Sequence, residues 1–483
     1  MSRVWRPVRS EPVLFALVLV AAGLFCAYAV VRHERLLSGP DLAMFDQAVW
    51  SYSHFRIGPA TIVGDLPSLL GQHFHPLVMV LTPLYWIWAD PVMLIVAQAL
   101  LVAAAAVPIF HFAVPRVGRL GAYALAAAYL GYWAAHAGVA FDFHEVAFAP
   151  LLIATAVLMI DRERWAPFLA VAGLLLLVKE DMSVVVVALG LYAAARGHIR
   201  PAVASVVGGI VWFFLSTKVL IPAFADGRPF TFWSYRAFGS DLPQAAGHVV
   251  VHPVKAVKAL FTPYPKAATL GALFVPFLLL PLASLLVIVC APLVVERMFS
   301  SDSVYWYPLL HYSLSVSPVV AMAAADGAHN LSRLLPSPRR TRFATGLSLV
   351  VLVSVVALSA SEAFQPVPGA PLSPLARPGD LGIGAHAATR AAARRALDAI
   401  PSDASVAASP NALPHVSERK HVSLLVLTRA PSAEYLLQFG GDLGQAGSRI
   451  GMKPPPVPAT WLTRYEVALD ADGVRLLRLR PHP

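Results

Sequence analysis

Residues 41–50, Asp-Leu-Ala-Met-Phe-Asp-Gln-Ala-Val-Trp, are the first stretch of this chain in which acidic and apolar side chains mix. They follow an apolar run from about Val13 to Val31, which is long enough to cross a bilayer because a span takes roughly 20 residues. Pro40 favours a helix start, and the apolar side chains after it predict an amphipathic helix at the membrane interface. We therefore place this stretch in the first extracytoplasmic loop of a polytopic membrane protein.

The composition of the whole chain supports this class. Of its 483 residues, 58% are hydrophobic and 13% charged, whereas soluble domains are about 45–50% apolar and about 25% charged. The net charge of +10 is typical of a membrane protein with basic cytoplasmic loops, and no nucleic-acid motif is present, so no nucleic acid partner is expected. Cys26 and Cys290 both lie in apolar runs, which argues against a disulfide framework or a cysteine zinc site.

About 11 apolar segments are candidates for membrane spans. They lie near residues 12–31, 91–113, 120–139, 146–160, 166–178, 182–195, 202–221, 267–281, 283–296, 307–326 and 343–360. The segment 76–88 is too short, is broken by Pro83 and is rich in aromatic residues, which is typical of an interfacial or re-entrant element. The segment 267–296 is one long helix or two short helices around Pro281, and the basic pattern of the loops favours two.

The distribution of arginines supports this count. With the N-terminus in the cytoplasm, the cytoplasmic segments carry Arg3, Arg6, Arg9, Arg116, Arg119, Arg162, Arg164, Arg196, Arg200, Arg333, Arg339, Arg340 and Arg342. The opposite loops contain most of the acids and histidines outside the spans. This is the positive-inside pattern, and it predicts a multi-pass membrane protein with a cytoplasmic N-terminus.

The composition changes after about residue 360. We expect a transmembrane domain over 1–360, a proline-rich linker over 361–384 and a small extracytoplasmic α+β domain over 385–483. In the last part the pattern predicts a helix at about 385–399 and strands at 405–408 and 421–426. Asp472-Gly473 lies between two apolar segments, Tyr465 to Leu469 and Val474 to Leu479, which predicts a β-hairpin.

Polar residues at the ends of membrane spans are costly and often functional. In the predicted topology five groups of them fall on the outer side. They are Asp41 and Asp46; His73 and His75; Asp142, His144 and Glu145; Lys179, Glu180 and Asp181; and His311 with Tyr312. Each group also has a structural explanation, such as an interhelical hydrogen-bond network or a self-neutralising charge cluster. Their shared side favours a single functional site, whereas Glu296 and Arg297 are interpreted as a structural pair near a helix end.

These stretches resemble a family of bacterial multi-pass proteins known as a predicted membrane protein domain of unknown function, which is grouped with the GT-C glycosyltransferases. The resemblance covers most of the chain. The matching segments are 41–50, Gly71-Gln72-His73-Phe74-His75-Pro76, Phe141-Asp142-Phe143-His144, Val178-Lys179-Glu180-Asp181, His311-Tyr312 before Pro318, Ile400-Pro401, 405–409, Leu413-Pro414-His415 and Ser417-Glu418-Arg419. No P-loop, G-x-S-x-G, H-E-x-x-H or G-x-G-x-x-G signature is present.

The resemblance implies a multi-pass protein of the bacterial plasma membrane with a GT-C-like helical fold, which transfers a sugar from a polyprenyl-phosphate donor. The acceptor would be a glycan, a lipid or a protein at the outer face of the plasma membrane. In an inverting transfer a carboxylate removes the proton of the acceptor hydroxyl, and we assign this role first to Asp41 and second to Asp46. The leaving phosphate needs positive charge. Candidates for this are Lys179, His73, His75 and, in the 222–266 loop, Arg236.

Two further questions stay open at this point. A divalent ion, Mg²⁺ or Mn²⁺, held by Asp142, Glu180 or Asp181 is one hypothesis about cofactors. A transporter or flippase of lipid-linked substrates is the alternative function, with the acids and histidines as a proton relay. Transporters place such groups near the bilayer midplane and often contain inverted repeats, while here the groups lie at span ends and no repeat is visible. A membrane scaffold leaves the polar groups unexplained.

Overall fold

The computed structural model describes residues 11–64, 66–308, 310–363, 372–376, 386–427, 431–440 and 456–481. Arg3, Arg6, Arg9 and most of the predicted linker lie outside the described residues. The described chain is mostly helical, and it has a small five-stranded sheet near its C-terminus. This agrees with the expected class of a helical protein with an α+β tail.

The described α-helices are α1 (Pro12–Glu34), α2 (Pro40–Ser53), α3 (Thr82–Tyr85), α4 (Val92–Ala104), α5 (Ala106–Leu130), α6 (Trp133–Ala140), α7 (Ala149–Asp161), α8 (Trp165–Leu176), α9 (Met182–Ala195), α10 (Ile199–Leu215), α11 (Ile221–Phe224), α12 (Leu242–Val251), α13 (Pro253–Phe261), α14 (Tyr264–Phe274), α15 (Val287–Phe299), α16 (Ser317–Ser332), α17 (Ser337–Ser359), α18 (Ala387–Asp398) and α19 (Ala459–Leu462). A π-helical turn, Ser216–Leu220, joins α10 to α11.

Four helical segments of the described chain are long and apolar enough to cross a membrane. They are Pro12–Glu34, Val92–Ala140, Ile199–Phe224 and Ser337–Ser359. Many of their large apolar side chains are exposed, as expected for surfaces that face lipid. The chain is thus a membrane protein with several apolar helices, and the count of 11 spans stays a prediction.

Residues with positive φ interrupt the helical backbone at two places. Gly118, at φ 75°, interrupts the helical geometry inside α5, between the segments predicted at 91–113 and 120–139. Two left-handed residues, Leu278 and Leu279, interrupt the chain between α14 and α15, so the segment 267–296 forms two helices and not one.

Two other segments test the predicted boundaries. Residues 76–85 form a 3₁₀ turn, Pro76–Leu81, followed by the single turn α3, in agreement with the prediction of a short element. The predicted segment 307–326 is wrong at both ends. Helix α16 begins at Ser317, where Pro318 fits the first helical turn, and it continues to Ser332.

The predicted cytoplasmic loops meet in one ionic cluster at one end of the helices. Arg116 donates to Asp161, with Nη2 at 2.5 Å from Oδ1, and to Asp326, with Nε at 3.0 Å from Oδ1. Arg196 also binds Asp161, at 3.2 Å. Residues from α5, α7, α9 and α16 are therefore joined at this end, which agrees with the predicted shared side of these loops.

The C-terminal sheet has the strand order β2-β1-β3-β5-β4, where β1 is Val406–Ala408, β2 Val422–Leu424, β3 Tyr435–Phe439, β4 Tyr465–Ala471 and β5 Val474–Leu479. β1 pairs in parallel with β2 and β3, whereas β5 is antiparallel to β3 and β4. The predicted hairpin at Asp472-Gly473 is confirmed, with φ of 50° and 82° at these two residues. β3 was not predicted, because a strand buried on both faces lacks the alternating pattern.

The first loop packs directly against this C-terminal part. Leu36, Leu37 and Ala43 share one apolar core with Val406 and Leu413 of the C-terminal part. Helix α2 is consequently held between the long helices and the C-terminal part. This position brings its acidic residues close to three distant segments of the chain.

Candidate functional site

Helix α2 presents its two acids to different surroundings. Gly39 precedes the helix, Pro40 fits its first turn, and Asp41 lies in that turn, where a carboxylate is favoured by the helix dipole. The side chain of Asp41 is 32% exposed. Asp46, five residues later, lies on another face of the helix and is fully buried.

Both carboxylate oxygens of Asp46 accept hydrogen bonds. The Tyr85 hydroxyl donates to Oδ1 at 2.5 Å, and the Ser417 hydroxyl donates to Oδ2 at 2.7 Å. Burial raises the pKa of Asp46 to about 7, against the opposing effect of these two hydrogen bonds. Asp46 thus joins α2 to the C-terminal part, and neither oxygen is open to a substrate in this conformation.

Asp41 belongs to a line of four charged side chains. His144 Nε2 lies 3.5 Å from Asp41 Oδ2, and His144 Nδ1 lies 3.1 Å from Glu145 Oε2. Glu145 Oε1 lies 3.0 Å from the ammonium nitrogen of Lys179. The line therefore runs from a partly exposed acid on α2, through the segment before α7, to the segment before α9.

Lys179 opens into a cavity of about 150 Å³. The cavity is lined by charged side chains, among them Glu180, Asp181 and Glu296. Aromatic side chains form another part of its wall, namely Phe230, Phe232, Trp233, Tyr235, Tyr305 and Tyr312. A partly buried cation beside aromatic faces and carboxylates is a suitable arrangement for a ligand that combines a phosphate with a sugar.

The charge states in this line follow from burial and from neighbouring charges. Burial lowers the pKa of His144, but the neighbouring carboxylates of Asp41 and Glu145 outweigh this effect and raise the pKa to about 9. Burial also disfavours the charged form of Lys179, yet the nearby carboxylates, Glu145 first among them, hold its pKa well above the usual range. Burial dominates at Asp181 and raises its pKa to about 7.

His73 and His75, which follow α2 in the chain, have different roles in the structure. His73 Nδ1 lies 2.5 Å from Glu180 Oε1, while the other oxygen of Glu180 accepts the backbone N–H of Phe74 at 3.0 Å. His73 also lines the cavity. His75 is buried against the ring of Phe45, and burial lowers its pKa to about 4, so at neutral pH it brings no positive charge.

Asp142 lies beside the line rather than in the cavity. Its Oδ1 is 3.3 Å from Arg32 Nη1, and its Oδ2 accepts the backbone N–H of Gly39 at 2.5 Å. This contact fixes the start of α2. In the part of the chain that the structure describes, no group of three or more His, Cys, Asp or Glu side chains is placed to hold a metal ion. The predicted ion at Asp142, Glu180 or Asp181 stays a prediction.

The remaining predicted residues separate into two groups. His311 stacks on His144 with ring centroids 3.7 Å apart, and with Tyr312 it lines the cavity. Arg236 is exposed and does not line it, although its neighbours Tyr235 and Ser234 do.

Sequence reasoning missed part of the cavity wall. The stretch Phe230-Thr-Phe-Trp-Ser-Tyr235 is a run of aromatic residues, a signal that could have identified it. Glu296 and Arg297 both line the cavity, a position that their interpretation as a structural pair did not predict. Arg297 donates to the carbonyl oxygens of Tyr305 and Tyr307, at 3.1 and 3.0 Å.

The fold is similar to that of two crystal structures of ArnT from Cupriavidus metallidurans. With the structure bound to undecaprenyl phosphate the TM-score is 0.54, at 11% identity over 98% of this chain and 100% of that one. With the apo structure the TM-score is 0.52, and the sequences are 11% identical over 97% of this chain and 98% of the ArnT chain. Identity this low shows the fold alone. This chain therefore has an ArnT-like fold.

The sequence itself gives the more particular assignment. Residues 32–474 match the model of the family described as predicted membrane protein (DUF2079). Since this match covers most of the chain, the protein belongs to that family, and the resemblance seen in the motifs is confirmed. No curated protein matches the sequence.

Proposed function

We propose that this protein is a membrane glycosyltransferase that transfers a sugar from a polyprenyl-phosphate donor to an acceptor at the outer face of the bacterial plasma membrane. The observation that carries the proposal is the cavity in which Lys179 lies beside aromatic side chains and is joined through His144 and Glu145 to a partly exposed acid, Asp41. The fold supports it, since a structure of the same architecture holds undecaprenyl phosphate.

In the proposed reaction the donor phosphate binds at Lys179, and the sugar lies against the aromatic wall. The carboxylate of Asp41 accepts the proton of the acceptor hydroxyl while the hydroxyl oxygen attacks the anomeric carbon. The bond between that carbon and the phosphate oxygen breaks, and its electron pair stays with the phosphate. The Lys179 ammonium stabilises the charge that develops there. Asp41 is favoured over Asp46 as the base because the Asp41 side chain is partly exposed and Asp46 is buried.

The test is turnover of polyprenyl-phosphate sugars by the purified full-length protein in lipid nanodiscs. Wild type is compared with Asp41→Asn, which keeps the shape of the side chain and removes its basicity. We expect sugar transfer or donor hydrolysis to fall by about 10²–10⁴-fold, the usual contribution of a general base. Asp241→Asn is the matched control, because Asp241 is an exposed helix cap on α12 and its loss leaves the rate unchanged.

The same experiment separates the enzyme from the alternative of a transporter or flippase. Equal rates in wild type and Asp41→Asn would refute the role of Asp41. Tight donor binding without turnover, together with movement of the lipid-linked sugar between the two leaflets of a vesicle, would favour the flippase. A folded protein that binds no lipid-linked sugar would refute the proposed function.

A further inference from the structure

The four side chains between the exposed acid and the cavity alternate in charge. Asp41 is followed by His144, Glu145 and Lys179, with gaps of 3.5, 3.1 and 3.0 Å between the charged atoms. When the histidine is protonated the line carries two positive and two negative charges and is neutral as a whole. Each inner member then has an opposite charge on both sides.

The inner members have few other partners. Glu145 is buried, with a side chain that is 2% exposed, and both of its oxygens face a cation of the line. His144 is packed between the rings of His311 and Phe45. Its Nε2 has no hydrogen-bond partner within the described residues and faces Asp41 across the longest gap of the line. The link between His144 and Asp41 is therefore the loosest one.

We propose that His144 and Glu145 couple the binding of a phosphate group at Lys179 to the freedom of Asp41, so that the base is released only when the donor is present. This proposal deepens the proposed function and rests on it. His144 and Glu145 act as positioning residues, because they touch the base and the phosphate-binding cation rather than the reacting atoms.

The coupling follows from competition for shared charges. A phosphate in the cavity takes part of the attraction of the Lys179 ammonium, so the ion pair between Lys179 and Glu145 weakens. Glu145 then has only His144 to balance its charge in a buried position, where an unpaired charge is costly. The imidazolium is drawn towards Glu145 and away from Asp41, whose carboxylate becomes free to accept the acceptor proton.

A carboxylate-labelling experiment measures this coupling without turnover. Full-length protein in nanodiscs is treated with a water-soluble carbodiimide and an amine, with and without undecaprenyl phosphate, and labelling of Asp41 is followed by mass spectrometry. A coupling of typical strength changes an equilibrium by about 5–150-fold. We expect the lipid to raise the labelling rate of Asp41 in wild type by at least about fivefold, at the lower end of that range. Labelling of the exposed Asp241 is the internal control and stays constant.

The variants Glu145→Gln and His144→Gln break the line at two different points. We expect each to abolish the effect of the lipid on Asp41 labelling. A residue that only supports the fold would change labelling equally with and without lipid. Thermal melting of both variants checks folding. His198→Gln is the control, because His198 packs against Trp165 at a distant loop, and we expect this variant to keep the wild-type response.

The outcomes separate this inference from the proposed function. Labelling of Asp41 in wild type that is unchanged or lowered by the lipid, or a lipid effect that persists in Glu145→Gln, overturns the coupling. A protein that shows the coupling but transfers no sugar contradicts the proposed function and leaves the coupling in place.

Discussion

The contact between Asp46 and Ser417 predicts how strongly the C-terminal part is held on the first loop. Ser417→Ala removes one of the two hydrogen bonds to a carboxylate that is fully buried. A hydrogen bond to a charged acceptor contributes about 1.5–3 kcal/mol, and one between neutral groups about 0.5–1.5 kcal/mol. We expect a loss of about 2 kcal/mol when Asp46 is ionised and about 1 kcal/mol when it is protonated.

The pH dependence has a definite sign. Because burial raises the pKa of Asp46 from 3.8 to about 7, the folded protein keeps a proton that the unfolded chain loses above its ordinary pKa. The contribution of Asp46 to stability is therefore most favourable at low pH, decreases as the pH rises to about 7 and is constant above that. Asp46→Asn carries no charge and is expected to remove this dependence.

Hydrogen–deuterium exchange of backbone amides at residues 413–419 measures the effect in the full-length protein in nanodiscs. A loss of about 2 kcal/mol corresponds to a roughly 30-fold increase in local opening. At pH 8 we expect this increase for Ser417→Ala, and at pH 5 about fivefold, after correction for the intrinsic exchange rate. Thr463→Ala, an exposed hydroxyl in the same part of the chain, is the control. Protection in Ser417→Ala equal to that control at pH 8 would show the reasoning to be wrong.

Two further predictions concern helix packing. Gly327→Ala places a Cβ against the carbonyl oxygen of Leu280, so the backbone must shift, and we expect the protein to lose about 1–3 kcal/mol of stability in a thermal melt. Gly346→Ala is the control, because the space around Gly346 is open, and we expect it to be neutral or stabilising. Arg116→Met leaves the partly buried Asp326 without its cation and removes one of the two arginines that bind the partly buried Asp161. We expect this to cost about 3–5 kcal/mol, whereas Arg119→Met removes an ion pair whose arginine is exposed and has a smaller effect on stability. Equal melting temperatures within either pair of variants would contradict the packing described.

Local patterns predicted the elements that depend on neighbours in sequence. The apolar runs predicted helices in the membrane part. Asp472-Gly473 predicted the hairpin, because these two residues adopt the positive φ that the turn requires. The start of α16 was predicted too early because the apolar run from residue 307 includes a 3₁₀ turn at His311–Ser313, which composition does not distinguish from a helix.

The sequence predicted which residues belong to the candidate site, but it did not predict how they are arranged in space. Acids, histidines and a lysine at span ends are visible as costly residues, so the sequence identified Asp41, His144, Glu145 and Lys179 as candidates. Their order in a line depends on contacts between segments that are about one hundred residues apart, as for Asp41 and His144. No local pattern encodes such a distance.

The sequence by itself determined that this is a membrane protein with an amphipathic first loop, because hydropathy and periodicity are local properties. It did not distinguish Asp41 from Asp46, since both are acids on one short helix. Only the tertiary structure decided that Asp46 is buried against Ser417, 371 residues further along the chain, while Asp41 stays partly exposed beside His144. The physical reason is that burial is set by what packs on each face of α2, and that surface comes from the far end of the chain.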